Sequence, residues 1–239
     1  QTLYALDNYF QTLFEQARKE QSKAVKNLVA NAEFNNAYIR TKNLISQNLE
    51  HPKLLELKDL VENKVKENPK AKIIVFSQYR DSVTKICREL NSLNNVSAKV
   101  FVGQAKKTLS NKPDNKENTT GLSQKEQHQI IQEFSNSEFN ILCATSIGEE
   151  GLDICEVNIV VFYEPIPSAI RKIQRAGRTA RLIPGEVIML VTKGTRDEAY
   201  YWSAHHKEKR MYKAIKEIDK EFKENKQSEK QSTLDNISR

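Results

Sequence analysis

Apolar residues recur at helical spacing through the first fifty positions: Leu3, Leu6, Tyr9, Phe10, Leu13 and Phe14, then Ala24 and Leu28, then Ile39, Leu44, Ile45 and Leu49. Positions three and four apart share one face of a helix, and no proline or glycine interrupts the run, so two or three amphipathic helices are predicted. His51-Pro52 breaks the period. Another helix is predicted through Leu54, Leu55, Leu57, Leu60, Val61 and Val65, ending at Asn68-Pro69. From Lys72 the texture changes. Runs that are apolar almost throughout begin at Ile73, Ala98, Phe139, Val157 and Glu186, and helical stretches stand at Tyr79 to Leu93 and at Ser123 to Phe134, the latter opened by a Ser123-x-x-Glu126 capping box. Strands of that kind alternating with helices imply a parallel sheet covered on both faces. The expected class is therefore α/β, with an all-helical region in front. A final helix is predicted from about Arg196 to Lys223, launched by Thr195-x-x-Glu198 as a capping box. The residues beyond it, rich in Lys, Glu, Gln and Ser, are predicted to be a disordered tail.

Ligand sites in parallel sheets lie beyond the C-terminal ends of the strands. Three polar stretches fall there. Ser77-Gln78-Tyr79-Arg80 follows the first strand, and a hydroxyl- and amide-rich turn at a helix start suits a phosphate as well as it suits an ordinary cap. Gly103-Gln104 follows the second and opens a Lys-rich, apolar-poor segment through Asn118, read as a mobile surface loop. Thr145-Ser-Ile-Gly148-Glu-Glu-Gly151-Leu-Asp153 follows the third, with a hydroxyl for a phosphate and two glycines that let a loop turn tightly and present its N–H groups.

The most basic stretch lies between Arg171 and Arg181, with five basic side chains and no acidic one. Ser168 is a suitable N-cap and Pro184-Gly185 a stop, so a short helix is predicted on which Gln174, Arg178 and Arg181 share a face. Two guanidiniums side by side repel unless an anion lies between them, and a polyphosphate matches their planar forks. Spacing alone also fits a solvated basic face.

Composition narrows the classes. The net charge is +7, with 38 basic against 31 acidic residues, which points to an anionic partner. Cys87, Cys143 and Cys155 lack CxxC spacing, and the four histidines lack ligand spacing with them, so buried reduced thiols, a cytoplasmic location and no metal site are expected. No apolar run reaches the roughly 20 residues of a membrane span.

Gln174-Arg175-x-Gly177-Arg178-x-x-Arg181 resembles motif VI of superfamily 2 helicases, and the Thr145 to Ile154 segment resembles motif V. With Lys193-Gly-Thr-Arg-Asp-Glu-Ala-Tyr-Tyr-Trp202, they make the chain similar, to about residue 213, to the archaeal Hef helicase/nuclease family and its FANCM/Mph1 relatives. Ala180 departs from the family's usual glycine. The resemblance implies a RecA-like sheet over 70–193, preceded by the end of a DNA-gripping inserted domain (1–50) and a connecting helix (51–69). A C-terminal helix packed on the motor (194–224) and the tail (225–239) would follow. It also implies ATP with Mg2+ as cofactor, Arg178 and Arg181 as fingers on the γ-phosphate with Gln174 beside them, and Gly151, Asp153 and Arg175 at the nucleotide. Forked or branched DNA would meet Ser77, Gln78, Arg80, Gly103, Gln104, Thr145 and Gly148. Nucleoid association in an archaeal cytoplasm follows from the same likeness. The tail's Gln231-Ser-Thr-Leu234-Asp-Asn-Ile237-Ser238 resembles the start of a sliding-clamp-binding peptide, with Ile237 and Ser238 where two aromatics normally stand.

No Gly-x-x-x-x-Gly-Lys-Ser/Thr loop occurs anywhere in the sequence, and no acidic magnesium-binding box follows a strand. The chain is therefore read as half a motor, inactive alone. An upstream RecA-like domain of the same protein would supply the phosphate loop and metal carboxylate. A double-stranded-RNA-activated ATPase of the same plan and a non-catalytic nucleic-acid-binding adaptor are the alternatives.

Overall fold

The computed structural model describes residues 2–19, 22–104, 121–145, 154–166 and 185–237, the last twenty of these as helix only. Three helices open the chain: α1 (Leu3–Arg18), α2 (Lys23–Ala30) and α3 (Ala32–Ser46). Each start has a local cause. The Thr2 hydroxyl accepts from Ala5 N at 3.2 Å, and the Asn31 side chain accepts from Glu33 N and Phe34 N. The predicted apolar stripe becomes an aromatic cluster, with Phe10 on Phe34 and Phe14 on Tyr38, both at 4.9 Å between ring centroids. Little else is sealed. Tyr9, Ile39 and Leu49 remain more than half exposed.

The fourth helix, α4 (Pro52–Glu67), has proline at its first turn and His51 as its cap, the imidazole Nδ1 accepting from Lys53 N at 3.1 Å. The remaining elements are β1 (Ile73–Phe76), α5 (Arg80–Leu90), β2 (Ala98–Phe101), α6 (Gln124–Ser135), β3 (Ile141–Ala144), β4 (Ile159–Phe162), β5 (Glu186–Met189) and α7 (Arg196–Ile237). The five strands form one parallel sheet in the order β2-β3-β1-β4-β5.

Alternation in the strands fills two cores. Ile73, Val75, Ile141, Cys143, Ile159 and Val161 face Leu54, Leu57, Val61 and Val65 of α4 and Val83, Ile86 and Leu90 of α5. Ile74, Phe76, Leu142, Ala144, Val160 and Phe162 face Ile131 and Phe134 of α6, with Phe139, Ile154 and Val157. Burial on both faces explains why the central strands carry no polar alternation.

Three differences from expectation have physical reasons. The helix expected as a connector over 51–69 is a layer of the sheet domain, because its stripe at Leu54, Leu57, Val61 and Val65 is buried against β1 and α5. The last helix does not stop near 224, and 225–237, expected to be irregular, belongs to it. It continues to Ile237, since no proline or glycine breaks it and its residues are mostly good helix formers. The capping box at Thr195 is displaced by one residue: Thr195 Oγ1 accepts from Asp197 N, whereas Glu198 accepts from Gly194 N. At Ser123 and Glu126 the box is formed as predicted. No helix among the described residues is long and apolar enough to cross a membrane.

Candidate nucleic-acid interface

Because the strands are parallel and in register, their C-terminal ends form one rim. Ser77 N donates to Ala144 O at 3.0 Å, Thr145 N to Phe101 O at 3.1 Å, and Tyr163 N to Phe76 O at 2.8 Å, so the residues just past β1, β2, β3 and β4 stand side by side. Ser77, Gln78, Arg80, Gly103, Gln104 and Thr145 all lie on or beside this rim. Gly148, Gly151, Asp153, Gln174, Arg175, Arg178 and Arg181 lie outside the described residues.

Ser77 points inward. It is 1% exposed, and its hydroxyl donates to Glu164 Oε1 at 2.9 Å. The other carboxylate oxygen of Glu164 accepts from Gln78 N at 3.2 Å, and Gln78 Nε2 donates to Pro165 O at 3.3 Å. The turn after β1 is thus clamped to the end of β4. Burial pushes the Glu164 carboxyl above the ordinary range, against the pull of the Ser77 and Gln78 donors and of Lys53.

Arg80, at the first turn of α5, donates from Nη2 to Gly103 O at 3.1 Å, tying the turn after β1 to the turn after β2. Gln127 of α6 donates to Val102 O at 2.9 Å from beneath. Gly121 closes this turn from the far side. A Cβ there would stand 2.4 Å from the Gly103 and Gln104 backbone, so no other residue fits without displacing it. Gln78 and Gln104 keep exposed side chains on the resulting ledge.

Thr145 ends β3 between these turns. Its hydroxyl is buried and has no hydrogen-bond partner among the described residues, a condition that costs about 1–3 kcal/mol and persists where something else satisfies it.

The feature not anticipated from sequence is a polar knot behind the rim. Lys53, 7% exposed at the start of α4, pairs with Asp197 at the start of α7 and lies 5.6 Å from the centroid of the buried Tyr163 ring. Burial and the Glu164 charge push the Tyr163 phenol up. Asp197 would be raised by its burial, but the hydrogen bonds from Lys53 and Thr192 hold it below the ordinary carboxylate range. One signal was available: Tyr163-Glu164 directly follows an apolar strand, where sheets of this type place their working groups. Among the described residues no group of three or more His, Cys, Asp or Glu side chains could hold a metal ion.

A five-stranded parallel sheet, layered by helices and carrying its polar groups on one rim, defines a RecA-like helicase domain. Residues 52–183, more than half of the chain, match the model of the helicase conserved C-terminal domain, and the chain belongs to that family. A Methanocaldococcus jannaschii protein assigned as an ATP-dependent RNA helicase is 46% identical over 175 residues, which are 73% of this chain and 21% of that protein. The ATP-dependent DNA helicase mph1 of Neurospora crassa is 42% identical over 155 residues, 64% of this chain and 12% of its own length. The crystal structure of the Pyrococcus furiosus Hef helicase domain superposes with a TM-score of 0.61 at 45% identity, covering 85% of this chain and 39% of that one. The chain therefore spans about a fifth or less of the curated relatives it matches.

Proposed function

We propose that this chain is the second motor domain of an ATP-dependent DNA helicase or translocase that acts on forked or branched DNA, joined to the end of a DNA-gripping helical insert over 1–50. The observation that carries the reading is the rim itself. Gln78, Arg80, Gly103 and Thr145, from three separate strand ends, are drawn to one rim by Glu164, the Arg80–Gly103 bond and the bond from Thr145 N to Phe101 O. Polar side chains arrayed this way suit a sugar–phosphate strand, and they carry no base-reading pattern. Ser77 serves that ledge through Glu164 and does not face the strand itself.

Arg178 and Arg181 would hold the γ-phosphate of ATP, with Gln174, Arg175, Gly151 and Asp153 around the nucleotide. The acid-free stretch from Arg171 to Arg181 fits a polyphosphate. Hydrolysis of the bound nucleotide supplies the free energy, and the Mg2+ and phosphate loop would come from an upstream RecA-like domain. Gly148 and Thr145, next to Gly151 and Asp153 in sequence, link the DNA ledge to the nucleotide side. The tail's Gln231 and Leu234 would offer a sliding clamp a contact, which titration of a tail peptide against the clamp tests: no binding at high micromolar concentration removes it.

DNA is favoured over RNA by the likeness to proteins named DNA helicases. ATP turnover measured with DNA forks and with matched RNA forks separates the two. Stimulation by DNA is expected, and stimulation by RNA alone would overturn the reading.

A further inference from the structure

The first half of α7 carries two unlike faces. Ala204 is buried and Tyr201 half-buried, so this side seats the helix on the domain. On the other side Trp202, His206, Lys209, Lys213 and Lys216 follow one another at steps of four, three, four and three residues, which keeps them on a single face. All five are exposed; Trp202, the only tryptophan of the chain, is 49% exposed with its ring 6.3 Å from that of His206. Arg210 and Tyr212 flank the row, and Tyr212 is 50% exposed.

Charge and shape single out one kind of partner. From Trp202 to Glu217 there are five Lys or Arg residues and two Glu. Lys213 is 80% exposed and reaches Glu217 only at 3.8 Å, an arrangement that contributes little in water. The row spans 14 residue steps, about 21 Å at 1.5 Å per residue, with a cation about every 5 Å over its lysine part. An aromatic ring at one end of a line of mobile ammonium groups is what a nucleic-acid strand takes: phosphates along the lysines, a base against the ring. An apolar protein partner would not need the lysines, and an acidic peptide would not need Trp202.

We infer that the Trp202–Lys216 face of α7 is a second nucleic-acid track, separate from the rim of the sheet, which holds a sugar–phosphate backbone along Lys209, Lys213 and Lys216 and stacks a base on Trp202. It rests on the reading of this chain as a nucleic-acid motor and adds a contact outside the motor motifs. The helix starts at Arg196, and its Asp197 pairs with Lys53, which lies over the Tyr163 ring just past β4, so the N-terminal end of the track is tied to the rim of the sheet.

The test uses Trp202 as its own reporter. Titrating the chain with single-stranded and duplex oligonucleotides quenches Trp202 fluorescence saturably, and the quenching is lost in the double variant Lys209→Gln/Lys213→Gln. Two lost phosphate contacts lower the slope of log affinity against log salt by about 1.4 for single strands and about 1.8 for duplex. Trp202→Ala weakens single-strand binding on the order of tenfold. The charge-matched control Lys66→Gln/Lys70→Gln, on and just past α4, keeps both quenching and slope. Circular dichroism verifies that α7 survives in every variant. Equal losses in the two double variants, binding without quenching, or equal quenching by polyglutamate of the same charge would each overturn the track. A chain that binds nucleic acid normally while both α7 variants are silent loses only this inference. A chain that binds none at all loses the motor reading too.

Discussion

Replacing Arg178 or Arg181 with alanine lowers kcat for ATP hydrolysis by the assembled motor on the order of a thousandfold, while affinity for forked DNA changes by less than about threefold. Charge develops on the transferred phosphoryl group, and a guanidinium aimed at it acts in the transition state more than in the ground state. The loss therefore falls on kcat and spares KM. Arg178 and Arg181 stand three residues apart on one predicted face with Gln174, so they act as a unit, and the double variant should lose little more than either single one. Arg178→Lys keeps the charge but not the planar fork, and most of the loss should remain. Stopped-flow phosphate release measures this directly. Single variants that keep a third of the wild-type kcat would remove the arginine-finger assignment.

Lys53→Met destabilises the sheet domain by about 3 kcal/mol, the largest stability effect expected of a single polar side chain here. Lys53 is buried among Asp197, Tyr163 and, through its charge, Glu164, and methionine fills its stem's volume but leaves a part-buried Asp197 without its cation. For a domain of this size the melting temperature should drop by about 6–12 °C. The pH dependence has a definite sign. Asp197 is depressed in the folded state, so its stabilising contribution is full above its unfolded pKa and is lost as pH falls through the folded one. Glu164 is raised, so its contribution is full at low pH and is lost as pH rises through its folded pKa; removing Lys53 pushes it higher. Both terms make the Lys53→Met penalty largest near neutrality, and it shrinks as the pH falls toward the depressed pKa of Asp197. Urea titration at pH 7 and at pH 4 reads the difference. A penalty under about 1 kcal/mol, equal at both pH values, would mean that the knot contributes nothing.

What could be read in advance divides along physical lines. The strands were legible because both faces of the sheet are buried, and a run such as Ile73–Phe76 then has no polar position to disguise it. Proline at 52 and the box at Ser123–Glu126 marked their helices because a cap is a local event. Assigning α4 to the sheet domain was not legible: Leu54, Leu57, Val61 and Val65 would make the same stripe on a connector. Nor was the length of α7, where a polar composition resembles a tail and only the absence of breakers argues for helix. In the site, the rim residues were legible from their place after strands. The inward turn of Ser77 was not, because its partner Glu164 lies 87 residues away and such a pairing exists only in the folded sheet. The same holds for Lys53 and Asp197, 144 residues apart.

The most direct test of the split-motor account is ATP turnover, with and without forked DNA, by this chain alone and by the chain joined to the RecA-like domain proposed to precede it. Silence from the chain alone and DNA-stimulated turnover from the longer protein are the predicted results. Turnover by the chain alone would contradict the account, because it would place a complete hydrolytic site where the sequence holds no phosphate loop. Silence from both would leave a nucleic-acid-binding adaptor in place of the motor.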